Sequence, residues 1–233
     1  MTFGLRSLAF VAELIHPPVQ HEAANLQRLH GQLFGDAGSS YRDFRVVQGG
    51  CQLSNATGGL PGSPVSLVNV LADRVQVREE QTGVSREDFE ARLVGFATKA
   101  LEQLSMNMFM VQQFAVRAVL NPHANEDSRA FLLNHVMGLD DDQLGGFENT
   151  PNLAGLRLSF PPSADHQGVF NARLESFSQD NRSVFLENVG TFGRPVTLNG
   201  DLADQLTTRF GATYDFLQNR LVDFVDRFDV EGF

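Results

Sequence analysis

Apolar residues dominate positions 5–15, and Pro17-Pro18 follow, which predicts a strand stopped by residues that cannot donate to a ladder. Val19, Ala23, Leu26, Leu29, Leu33 and Phe34 then recur at helical spacing, predicting a helix over 19–34 with Gly35 as a left-handed cap. Residues 42–53 and 66–79 read as two further strands, joined by a Gly- and Pro-rich loop between Asn55 and Pro64. Ser85 opens a helix with Glu87 and Asp88 in its first turn. Phe89, Leu93, Phe96, Ala97, Ala100, Leu101 and Leu104 give that helix one apolar face.

The second half begins with a bulky strand over 108–120, stopped by Asn121-Pro122. A short helix at 127–137 ends at Gly138, and Asn125 or Asp127 suits its N-cap. Strands at 153–160, 168–179 and 182–190 precede a long helix over 201–228, starting near Asn199 or Asp201. Read this way, both halves run strand, helix, strand, strand, helix. Phe10 to Pro17 lines up with Phe114 to Pro122, and Leu29 to Gly35 with Leu133 to Gly138.

The expected fold class is therefore α+β. It is a tandem duplication of ferredoxin-like βαββα units over 1–105 and 106–233, sharing a core, with helices packed on one face of an antiparallel sheet. In element order alone this resembles the paired modules of GyrI-like effector-binding domains and the dimeric α/β-barrel proteins. No residue role follows from that likeness. On the sheet face away from the helices, Arg74, Gln76 and Arg78 alternate with Val75 and Val77, while Val111, Ala115 and Val119 form an apolar stretch. Such a face invites a second subunit or a ligand.

Charge narrows the partners. Eighteen basic against 28 acidic side chains give a formal net charge of −10, which disfavours nucleic acid. One cysteine excludes an internal disulfide. Glu13 interrupts the short N-terminal apolar run, so neither a signal peptide nor a membrane span is read there. A cytoplasmic protein without a membrane partner is the expectation.

Candidate chemistry is sparse. His21-Glu-Ala-Ala-Asn25 places asparagine where a zinc-protease helix needs its second histidine, and His21 and His30 read as exposed helix residues. Cys51 lies in a strand without a local base, as a buried structural thiol does. Asp140-Asp141-Asp142 lacks the alternating spacers of a calcium loop and reads as a solvated turn. The glycines at 58–64 lack the Lys-Ser/Thr ending of a phosphate loop. Phe147, Phe192 and Phe233, outside the regular elements, are candidates for an exposed contact surface.

The leading expectation is a non-catalytic binding or assembly module that self-associates or engages another protein, with no cofactor and no metal. A second is a small-molecule binder with an apolar cleft between the units and Arg117, Arg157 and Arg173 for an anionic group. His123 and His135 are the remaining ligand-binding candidates, and they carry the third expectation, a hydrolytic or haem-dependent enzyme.

Overall fold

A computed structural model describes residues 4–35, 41–55, 62–123, 127–164, 166–198 and 201–229. The chain is an α+β protein built on one large antiparallel sheet. Among the described residues nine strands lie in the order β2-β3-β4-β5-β1-β7-β10-β9-β8. In chain order they are β1 (Arg6–Ile15), β2 (Asp43–Val47), β3 (Gly50–Ser54), β4 (Val65–Val70), β5 (Arg74–Glu80), β7 (Val111–Leu120), β8 (Gly155–Phe160), β9 (Val169–Ser176) and β10 (Val184–Phe192). The short strands β6 (Met108–Phe109) and β11 (Val196–Thr197) pair separately. Among the described residues the large sheet does not close, and β2 and β8 are its edges.

The strand count departs from the βαββα expectation, and the turns explain why. The apolar run over 42–53 reverses at Gln48-Gly49, where Gly49 takes φ +78°, and becomes the hairpin β2–β3. The run over 66–79 reverses at Leu71–Asp73 and becomes β4–β5, with the Leu71 amide donating to the Arg74 carbonyl. Four strands among the described residues therefore separate the first two helices. Across each reversal the core-facing positions switch parity, from Phe44 to Cys51 and Leu53 and from Val68 and Val70 to Val75 and Val77. Apolar residues nevertheless flank each turn on both sides, so run length alone does not reveal them.

Helix α1 (Ala23–Phe34) starts later than its pattern suggests, and Gly35 closes it in ordinary right-handed geometry, φ −75°. Helix α2 (Arg86–Gln103) begins as expected, the Ser85 hydroxyl accepting from the Asp88 amide. Helix α3 (Ser128–Ala130) runs on as a π-helical turn over Phe131–Val136 and is capped by Asp127, whose carboxylate accepts from the Arg129 and Ala130 amides. Asp140 caps α4 (Asp141–Leu144) with a full capping box. The C-terminal helix comprises α5 (Leu202–Asp215), a π-helical turn (Phe216–Leu221) and α6 (Val222–Asp226). No described helix is long and apolar enough to cross a membrane.

One core lies between the sheet and these helices. Phe10, Ala12 and Leu14 of β1 and Phe114, Val116 and Ala118 of β7 point into it, all nearly inaccessible to solvent. Phe89 of α2 and Phe210 of α5 meet over the two central strands. Their rings are 4.8 Å apart and lie 5.4 and 5.6 Å from that of Phe10. Offset aromatic packing of this kind adds to the burial energy of the rings. A buried acid, Glu79, also points to the helix side. It accepts from Ser66 Oγ at 2.6 Å and Arg92 Nη1 at 2.8 Å, so its charge is compensated. Phe192 is buried too, correcting its reading as a contact residue, whereas Phe147 is exposed. Phe233, Asn125, Asn199 and most of the 58–64 loop lie outside the described residues.

Candidate functional site

On each central strand the alternate residues face away from the core, and most of them are only half-buried, with no described helix against them. Antiparallel register sets these residues in straight rows across the sheet.

One row is polar: Gln52, Asn69, Gln76, Glu13, Gln113 and Thr191 stand opposite one another on successive strands, Glu13 being its one carboxylate. Gln52 Nε2 donates to Asn69 Oδ1 at 3.0 Å, and Asn69 Nδ2 to Gln76 Oε1 at 3.1 Å. Gln113 donates to Thr191 Oγ1 at 3.3 Å. The side-chain amides so link neighbouring strands above the backbone ladder.

The next row is apolar at its centre. Leu67, Arg78, Val11, Ala115, Val189 and Asn171 succeed one another, placing Val11, Ala115 and Val189 side by side where the two halves meet. Val119 shares this face further along β7, beside Phe185, and both are buried there.

The third row carries the charges: Glu80, Ala9, Arg117, Glu187, Arg173 and Arg157. Sequence reasoning singled out three of these arginines separately, and the fold lines them up on one face. Arg117 Nε lies 2.5 Å from Glu187 Oε2, and Arg173 approaches both Glu187 (3.5 Å) and Glu175 (3.7 Å). Arg157 is exposed and forms no ion pair among the described residues. Arg78 pairs with Glu80, and its guanidinium pKa is pushed down by burial and by nearby Arg117. At the end of the sheet nearer Ile15, Arg74 bonds Glu13 at 2.6 Å. With Arg45 and Asp43 of β2, the cations and anions of this face nearly balance, although the chain as a whole is strongly acidic.

The histidine candidates are elsewhere. His123 follows β7 in an exposed loop, its backbone amide bonded to Asp229 Oδ2 at 2.7 Å. His135 sits in the π-helical turn on the helix side, half-buried, its ring stacked on Phe131. The arginine row and His135 are thus on opposite sides of the sheet. His21 and His30 are half-buried rather than exposed; His21 Nε2 lies 2.9 Å from the Leu71 carbonyl oxygen. Cys51 is fully buried, and burial pushes its thiol pKa up to about 11. Among the described residues no group of three or more His, Cys, Asp or Glu could hold a metal ion.

Sequence reasoning missed the cavities on the helix side. One, of about 720 Å³, opens along the seam between α2 and the C-terminal helix, with Arg86 on its wall instead of a strand arginine. Arg86 bridges the seam, bonding Glu90 at 2.9 Å and Asp215 at 2.7 Å. A neighbouring cavity of about 510 Å³ is lined by Phe192, Arg194 and Arg209. No protein-family model matches the chain, and no curated protein matches it in sequence.

Proposed function

We propose that this protein is a non-catalytic assembly module that pairs with a second copy of itself through the helix-free face of its sheet. The observation that carries the reading is the charge distribution. A chain of net charge −10 repels its own copies, yet this face presents arginines and acids in near balance around the strip Val11, Ala115 and Val189. Two copies meeting here bury apolar surface without opposing like charge. The dimensions are sufficient: nine strands at about 4.8 Å spacing and about 20 Å long present roughly 800 Å², a standard contribution per partner. Other proteins, the second class of partner expected for such a surface, compete for the same rows.

The two halves are read here as copies of one longer unit. Each places its first strand at the sheet centre and its last strand beside it, and the others follow outward in reverse chain order. The helices α2 and α5 then take matching places over the seam.

Sedimentation velocity across a concentration series tests the assembly. The expected result is a dimer that dissociates on dilution and that Ala115→Arg converts to monomer with an unchanged circular dichroism spectrum. A monomer at every concentration, or a dimer indifferent to Ala115→Arg, overturns the reading.

A further inference from the structure

Arg209 is the one arginine of the C-terminal helix that is buried, 8 % exposed, and its hydrogen bonds reach neutral oxygens alone. Its Nη1 donates to Gln112 Oε1 and, at 2.8 Å, to the Arg194 carbonyl; its Nη2 donates to Gln205 Oε1 at 2.9 Å. No carboxylate pairs with it among the described residues. The charge that acts on it is a second guanidinium, that of Arg194, which is exposed and forms no ion pair among the described residues either. A buried cation ordinarily has a counter-charge, because desolvation without one is costly. Here both arginines line the 510 Å³ cavity, a volume typical of small-molecule sites.

The walls restrict what enters. Phe192 lies under Arg209, its ring centre 5.8 Å from the guanidinium carbon, and Ala164 and Ala212 add apolar surface. Asp201 and Asp204, both exposed, also line the cavity and disfavour a highly charged guest. The Arg209 fork retains N–H groups without a protein acceptor among the described residues, and a guanidinium fork matches an oxyanion bidentately. We infer that this cavity binds a small organic anion, one carboxylate or phosphate group carried on an apolar or aromatic body, with Arg209 and Arg194 supplying the counter-charge. This site lies on the helix side of the sheet and does not depend on assembly through the opposite face.

Titration calorimetry of the intact protein with benzoate and with phenyl phosphate, at constant ionic strength, tests the inference. Saturable one-site binding of either probe is expected, and the tighter probe identifies the headgroup. Arg194→Gln, at an exposed position, should weaken binding about tenfold through the loss of one charge-assisted contact. Arg209→Lys keeps the charge without the fork and should weaken it at least as much. Arg157→Gln, across the sheet, should leave it unchanged. Absence of binding to both probes overturns the inference, as does binding that Arg194→Gln leaves intact.

Discussion

His16 shows how one side chain can couple folding to pH. It is 1 % exposed and its Nε2 has no hydrogen-bond partner, while Nδ1 lies 2.8 Å from the Pro17 carbonyl oxygen. Burial lowers its pKa from 6.5, only partly opposed by the Pro17 carbonyl and Asp73. The unfolded chain therefore takes up the proton first as pH falls. The stability this group contributes is complete above about pH 6.5 and drains away below it, by at most about 1.4 kcal/mol per pH unit. Urea unfolding of the wild type and of His16→Asn should thus show a stability difference that shrinks, or reverses, between about pH 7.5 and pH 5.5. Cys51 gives a simpler expectation. With its pKa raised to about 11, roughly one molecule in a thousand carries the thiolate at pH 8. An aromatic disulfide reagent should leave the native protein unlabelled and label it fully in denaturant.

At the scale of elements, the closeness of α5 to the sheet rests on Gly190. A Cβ placed there would come within 2.2 Å of Thr213 Oγ1, and the neighbouring Asn188 bonds the Thr213 carbonyl at 2.8 Å. Gly190→Ala should push the helix outward and cost about 1–3 kcal/mol, and Thr213→Ala in the same chain should restore part of that. Urea midpoints of the single and double variants measure both effects. The sequence periods located every long helix and both central strands, because amphipathic spacing and caps such as Ser85 and Asp127 are local. They missed the reversals at Gly49 and Leu71–Asp73, where the core-facing positions switch parity while Leu71 and Ala72 keep the second run apolar, so a reading by run length passes straight through the turn. They also missed both π-helical turns, where an added residue per turn leaves no compositional trace.

Over the whole molecule, legibility falls with sequence distance. Arg117, Arg157 and Arg173 stand out as strand-borne cations, but only the register of β7, β10, β9 and β8 makes a row of them. Arg209 carries no signal at all in the sequence. Its lack of a counter-charge emerges from the positions of Gln112 and Arg194, on other elements. The central ladder has a further consequence, for synthesis. Strand β1 finds its partner β7 only after a loop of roughly a hundred residues has closed, at a substantial entropic penalty. While the ribosome is still making the second half, β1 presents an unpaired hydrogen-bonding edge, and a nascent neighbour's β7 could satisfy it as well as its own. Exchange of halves between chains is the characteristic error such a layout invites during crowded expression.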